Sequence, residues 1–322
     1  MNRRFLALRV GWTAFAAWLF LTLLFLFLAF TPDPNEALVG WAAGGGEEGA
    51  EAQAAYRAVR GRNRPLLARY GGWLVSFLTL NFGPSFAYEA SVTEVLSRSI
   101  PRTVAYLVPG VVVASALSLA SGTAAALRGG RTDRATRALG YLCLSLPAFV
   151  LGEGLIILAG ETDFGLDALL GYTASAPVTS TGNLLALAPA ALVLGVNLYG
   201  AQVLWVRTET RDILAEEFVK MLRANGVSPR RVYEHVLRNA ASPLLALVVS
   251  EVLVVLFVTI YVVEVVLGIP GLGMVSFRGF MERDFGLILT TVTLLVSTAL
   301  VANLAMDVVS AAIDPRVSGG EG

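Results

Sequence analysis

The feature that most restricts this chain is a set of long apolar runs. From Val10 to Phe30 no side chain carries a charge. Wound as a helix at ~1.5 Å per residue, such a run covers the ~30 Å hydrocarbon core of a bilayer. Lipid offers the backbone no hydrogen-bonding partner, so a crossing segment must satisfy its own amides and carbonyls as a helix. Five further apolar runs lie at about Thr103 to Leu127, Ala138 to Gly160, Leu184 to Val206, Leu244 to Leu267 and Phe285 to Ile313. The 322 residues are 56% hydrophobic, with a mean hydropathy of +0.68, far above an ordinary soluble domain. The expected fold is an all-α integral membrane protein with six transmembrane helices. The first run is read as a span because it exceeds a signal-peptide core and Thr31-Pro32-Asp33 lacks a small-x-small cleavage pattern.

Composition also excludes. The formal net charge is zero, which gives no basic excess for nucleic acid. Cys143 is the only cysteine and His235 the only histidine, so an internal disulfide is impossible and a Cys/His metal cluster lacks ligands. Lys220 is the only lysine and follows Val219, so no GxxxxGK[ST] phosphate loop exists. No cofactor is expected, and any ATP chemistry belongs to another chain. No nucleophile is placed beside His235, so a membrane hydrolase has little support.

Basic residues set the orientation. Asn2-Arg3-Arg4, the RGGRTDRATR stretch at Arg128 to Arg137, the stretch from Arg207 to Pro243 and Arg316 fall on one side if six spans are counted. The connection from Glu161 to Asn183 holds acids and no Lys or Arg. The basic side is expected to be cytoplasmic, with both termini there, in the cell membrane. This divides the chain into 1–31 (N-terminus and first span), an extracytoplasmic loop 32–102, a five-helix core 103–316 and a tail 317–322. Within the external loop, Gly44 to Gly49 reads as flexible and Ala50 to Arg60 as a surface helix. Leu66 to Phe82 is apolar but carries Arg69 and Gly71-Gly72, and is read as an interfacial or protein-packed segment.

The stretch 207–243 reads as a hydrated elbow of two short helices. Ile213, Leu214, Phe218, Met221 and Leu222 recur at helical spacing on one face, with Asp212, Glu216, Lys220 and Arg223 on the other. Asn225-Gly226 is expected to stop the first helix, Gly226 taking the left-handed conformation. Ser228-Pro229 suits the start of a second helix, with Val232, Tyr233, Val236 and Leu237 as its apolar face. Arg230 and Arg231 sit in that first turn, where the helix dipole disfavours cations by ~0.3 to 1 kcal/mol, which invites an anionic partner.

Glu153, Glu251, Glu264 and Asp307 fall within expected spans, where a carboxylate must face protein or a water-filled path. None sits at mid-depth as a proton relay would, and no inverted repeat of broken segments is visible. A self-sufficient secondary transporter or channel is therefore the weaker alternative. Ser115, Ser118, Ser121 and Ser145, in runs rich in small residues, are read as packing residues.

Several stretches together resemble a known family. They are E-F-V-K-M-L-R-A-N-G at Glu217 to Gly226, S-P-R-R-V at Ser228 to Val232, H-V-L-R-N-A at His235 to Ala240, V-V-E-V-V-L-G-I-P-G-L-G at Val262 to Gly273, N-L-A-M-D-V-V at Asn303 to Val309 and D-P-R at Asp314 to Arg316. This looks like a binding-protein-dependent ABC importer permease of the dipeptide/oligopeptide type, although Lys220-Met221-Leu222 stands where the wider family has Glu-Ala-Ala. The resemblance implies a type I ABC importer permease working by alternating access. Its partners would be a second homologous permease, two cytoplasmic ATPase subunits, an extracytoplasmic substrate-binding protein and the lipid bilayer. It also implies that the elbow is a coupling helix seated on an ATPase. Glu217, Phe218, Lys220, Arg223, Ala224, Gly226, Arg230 and Arg231 would form that contact, Phe218 as the apolar plug, Gly226 as the bend and the charges as a polar rim. Glu264, Pro270, Gly271, Gly273, Asn303 and Asp307 are the candidate structural or path residues in the membrane.

Overall fold

The computed structural model describes residues 3–59, 61–161, 169–228, 231–232, 234–235, 247–251, 253 and 255–313. Helices dominate. The element order is α1 (Arg3–Phe30), α2 (Pro34–Ala42), α3 (Gly46–Val59), α4 (Leu66–Leu78), β1 (Pro84–Ser85), β2 (Ala90–Ser91), α5 (Val92–Arg128), α6 (Gly130–Ser145), α7 (Ala148–Glu161), α8 (Thr181–Ala215) and α9 (Glu217–Ala224). After a π-helical turn, Val255–Thr259, come α10 (Ile260–Val266), α11 (Leu272–Met281) and α12 (Phe285–Ile313).

Among the described residues four helices are long and apolar enough to cross a membrane, with spans at Ala7–Phe27, Val92–Arg128, Thr181–Ala215 and Phe285–Val308. The α6–α7 pair makes a fifth if its two bent halves count as one span. The expected span Leu244 to Leu267 lies partly outside the described residues. The chain divides into two compact units, one of Met1–Arg9, Ser99–Met274 and Val301–Gly322, the other of Val10–Arg98 and Val275–Leu300.

In the first unit α6 packs along α8. Gly140 and Gly200 permit the approach, because a Cβ on Gly200 would stand 2.6 Å from the Leu144 amide nitrogen and one on Gly140 2.9 Å from Val203 Cγ1. Val193, Leu194 and Val203 of α8 are fully buried, and Arg207 closes one end of the seam with a two-pronged ion pair to Asp133 (Nη2 to Oδ2 3.0 Å). The expected span Ala138 to Gly160 falls on the α6–α7 pair, which is broken rather than continuous. The chain bends by 89° between Ser145 and Ala148, because Pro147 pushes Leu146 into extended backbone (φ −91°, ψ 110°). The expected basic loop also shrinks to a corner at Gly129 and Gly130, both with positive φ, so Arg131, Arg134 and Arg137 ride on α6. Helix α5 starts at Val92, so a polar stretch bearing Glu94, Arg98 and Arg102 precedes the apolar run from Thr103 on the same helix.

In the second unit α2 and α3 form a helical hairpin. The expected loop Gly44 to Gly49 narrows, since α3 already starts at Gly46, and a Cβ on Gly49 would meet the Gly40 carbonyl at 2.5 Å. Asp33 caps α2 by accepting the Asn35 amide at 3.0 Å and holds α3 by accepting the Tyr56 hydroxyl at 3.1 Å. Helix α4 has 13 residues, ~20 Å of helix, too short to span, which fits the interfacial and the protein-packed reading alike. Its Tyr70 and Trp73 rings pack on Phe25 of α1 at 5.3 and 5.4 Å.

Candidate functional site: the elbow and the Glu264 cradle

The elbow begins with a break that the sequence pattern hides. Helix α8 ends at Ala215, and Glu216 turns extended (φ −66°, ψ 152°) before α9 restarts at Glu217. The break shifts the helical phase. Val219, not Met221, therefore becomes the buried residue, at 0% exposure, while Met221 stands 60% exposed. Val219 joins Ile213 and Val232 in a small core, with Leu214, Phe218, Leu222 and Val227 packed against it. The single amphipathic face expected from Ile213 to Leu222 is corrected to two helices sharing one core. Phe218 is half-buried within this cluster.

The stop at Gly226 has local causes. Its φ is +75°, the Val227 amide donates to the Leu222 carbonyl (3.1 Å), and the Gly226 amide donates to the Arg223 carbonyl (3.0 Å). These are the two bonds of a Schellman cap, accompanied by the apolar contact of Leu222 and Val227 with the elbow core. Glu217 in the first turn and Arg223 in the last both suit the helix dipole. Glu217, Lys220, Arg223, Ala224, Gly226 and Arg231 are all exposed, on one compact hydrated knob. Pro229, Arg230, Tyr233, Val236 and Leu237 lie outside the described residues. The Ser228 carbonyl accepts the Val232 amide at 3.1 Å, which begins the next turn.

The second constellation lies in the first unit, around Glu264. Helix α10 ends at Val266, and Gly268 (φ +66°) lets the Ile269 amide reach back to the Glu264 carbonyl at 2.9 Å. The same residue's carboxylate, completely buried, accepts the Thr103 hydroxyl (2.6 Å) and the Tyr106 hydroxyl (2.9 Å) on one oxygen and the Met274 amide (3.0 Å) on the other. Met274 is in the first turn of α11, so Glu264 caps that helix from a distance and sits where its dipole favours negative charge. Thr103 completes the cap by accepting the Leu272 amide at 2.8 Å.

The glycines follow from this geometry. A Cβ on Gly271 would fall 2.5 Å from the Glu264 carboxyl carbon, and one on Gly273 would fall 2.6 Å from the Ile260 carbonyl oxygen. The Pro270 carbonyl accepts Arg102 Nη1 at 2.9 Å. The structure therefore gathers Glu264, Pro270, Gly271 and Gly273 into one cradle that fixes the reversal between α10 and α11. It does not bring Asn303 or Asp307 there. Asn303 is exposed on α12, and Asp307 pairs with Arg9 at 3.2 Å. Glu251 accepts Gln202 Nε2 at 2.6 Å, and Glu153 is exposed.

Asp284 was not singled out from sequence. It is fully buried, caps α12 by accepting the Leu287 amide (3.1 Å), and on its other oxygen accepts Ser85 Oγ (2.7 Å) and the amides of Phe86 (2.7 Å) and Ala87 (3.1 Å). An Asp one residue before an apolar helical run is a capping signal that was available. No group of three or more potential metal ligands occurs among the described residues.

Known proteins place this architecture. The family described as "binding-protein-dependent transport system inner membrane component" matches residues 106–319, which include the elbow and the cradle from Glu264 to Met274. The chain is 30% identical over 268 residues to the oligopeptide transport system permease protein OppB of Mycobacterium tuberculosis, covering 80% of this chain and 82% of that protein. It is 27% identical over 256 residues to the dipeptide transport system permease protein DppB of Bacillus subtilis, covering 79% and 80%. The metal-staphylopine import system permease protein CntB of Staphylococcus aureus is 27% identical over 261 residues, covering 81% and 80%. The chain thus belongs to the binding-protein-dependent transport system inner membrane components, as a multi-pass permease of the ABC type that transports rather than catalyses.

Proposed function

We propose that this chain is one of two permease subunits of an importer that carries peptides, or a peptide-like solute such as a metal chelate, into the cytoplasm. An extracytoplasmic binding protein delivers the cargo, and two cytoplasmic ATPase subunits drive alternating access. The cargo class is suggested by the dipeptide, oligopeptide and metal-staphylopine permeases to which the chain is similar. In this reading the chain has six spans and cytoplasmic termini, residues 103–316 form the core, and residues 32–102 face the binding protein. The stretch 207–243 is the coupling element.

The observation that carries the reading is the elbow. A hydrated helix with Glu217, Lys220 and Arg223 exposed is tied through Ile213 and Val219 to the end of a membrane-spanning helix. A partner that grips the knob moves α8, and a rigid helix with a capped end transmits that motion. Glu217, Phe218, Lys220, Arg223, Ala224, Gly226, Arg230 and Arg231 form the contact.

The test is reconstitution. The subunit purified with its second permease and its ATPases, and supplied with the binding protein, should support uptake of peptide that stops when the ATPase phosphate loop is broken; uptake by this chain alone would overturn the reading. Orientation is checked by Lys220→Cys in a Cys143→Ala background, where an impermeant thiol reagent should label inverted membranes and leave intact cells unlabelled.

A further inference from the structure

We propose that the cleft between α1, α4 and the start of α12 is a binding site for the phosphate of an anionic membrane lipid, with Arg69 as its principal ligand. The cleft has a volume of about 180 Å³ and is lined by Phe25, Trp73 and Leu289 together with Asp33, Arg62 and Arg69. The polar residues are not equivalent. Asp33 is occupied by the Asn35 amide and the Tyr56 hydroxyl, and Arg62 by Glu36 (3.4 Å) and the Thr31 carbonyl (3.1 Å). Arg69 makes no side-chain hydrogen bond or ion pair with the described residues. Two guanidinium groups and one carboxylate leave a single positive charge on the lining, which a phosphodiester monoanion neutralises.

Burial, and then the nearby charge of Arg62, lower the Arg69 pKa. An anion seated between them favours the charged guanidinium and so opposes both effects. Helix α4 indicates why that anion belongs to a lipid. Its inward face holds Tyr70, Trp73 and Phe77, while Leu67, Val75 and Leu78 are 84%, 60% and 71% exposed on the opposite face. A short helix with such a face lies in the plane of the membrane boundary, with its apolar side in the acyl region. Thr22 and Phe25, which it touches, are in the last turns of α1, and Phe285 and Leu289 are in the first turns of α12. The cleft therefore opens at headgroup depth, where Trp and Tyr rings also concentrate. A free phosphate has no use for the apolar walls, whereas the glycerol and first methylenes of a lipid do.

The experiment uses the full chain in nanodiscs of mixed phosphatidylglycerol and phosphatidylcholine, with retained lipids counted by native mass spectrometry. The wild type should retain phosphatidylglycerol selectively. Arg69→Gln should lower that retention about fivefold, the ~1 kcal/mol that one basic residue contributes near an anionic surface. Arg69→Lys should keep most of it, and Arg98→Gln, remote from the cleft, should change nothing. An unchanged thermal midpoint in Arg69→Gln separates lipid loss from misfolding; if that variant unfolds, the Arg69→Lys comparison decides. Equal retention in wild type and Arg69→Gln, or no preference over phosphatidylcholine in the wild type, overturns the site. Displacement of the lipid by millimolar inorganic phosphate overturns its assignment to a lipid.

Discussion

The Thr103 hydroxyl donates to the Glu264 carboxylate at 2.6 Å while accepting the Leu272 amide at 2.8 Å. One small side chain thus joins α5, α10 and the start of α11. Thr103→Val preserves shape and removes both bonds, leaving a buried amide and one carboxylate oxygen short of a donor. Each unsatisfied group costs about 1–3 kcal/mol. The expected result is a clear fall in thermal midpoint in detergent, largely restored by Thr103→Ser. Gly271→Ala should be at least as damaging, because its methyl displaces the carboxylate, and overpacking of this kind costs about 1–3 kcal/mol. A midpoint unchanged in both variants would mean that the cradle does not hold the reversal.

Gly226 tests the elbow without touching any tertiary contact, because no atom beyond its chain neighbours lies within 4 Å of where its Cβ would be. Only its φ of +75° matters. Gly226→Ala should cost about 1–2 kcal/mol at that position, and Gly226→Asn appreciably less, since Asn tolerates the left-handed region. Coupled uptake in the reconstituted complex should rank wild type, Asn, Ala, with membrane insertion equal in all three. Equal uptake would remove the angle of the elbow from the coupling.

What the sequence disclosed follows the range of the interaction. The stop at Asn225-Gly226 was legible because a Schellman cap is made of neighbours. The break at Glu216 was not, because no Gly or Pro marks it and the apolar spacing continues straight through. Glu264 was flagged by the cost of a carboxylate in lipid, but Thr103 and Tyr106 are 161 and 158 positions away and only the fold reveals them. Pro147 was visible, yet whether a proline kinks a span or folds it by 89° depends on what the two halves pack against. The basic residues from Arg128 to Arg137 were read as a loop from their charge, whereas the two positive-φ glycines make a corner short enough for a helix to restart at once. Arg207 and Asp133, 74 residues apart, carried no signal of pairing.

That ion pair sets a third prediction. Both side chains are 13% exposed, so the pair is neither a solvated surface bridge nor a fully desolvated one. A double-mutant cycle of Asp133→Asn and Arg207→Gln should show a coupling of about 0.5–3 kcal/mol, with the double variant less destabilised than the sum of the two singles, because each single variant strands the other charge. Arg137, which also approaches Asp133 at 3.4 Å, should couple more weakly, being 42% exposed. A coupling near zero for Arg207 would assign the α6–α8 seam to the small-residue contacts at Gly140 and Gly200 alone.

Asp284 offers the sharpest structural test in the second unit. One of its oxygens gathers three donors from Ser85, Phe86 and Ala87, and the other caps α12 through the Leu287 amide. Asp284→Ala leaves four donors without their acceptor, and with charge-assisted bonds worth about 1.5–3 kcal/mol each, even partial rescue by water leaves a large loss. Asp284→Asn keeps one oxygen, which can serve either the three-donor side or the cap but not both, so it should fall between wild type and Ala. The readout is local. Phe86 stands 48% exposed beside the clamp, so protease cleavage or thiol labelling of Phe86→Cys should quicken in the order wild type, Asn, Ala. If labelling is equally slow in all three, the pairing of Pro84 with Ser91 and Ser85 with Ala90 is sufficient to hold the segment without Asp284.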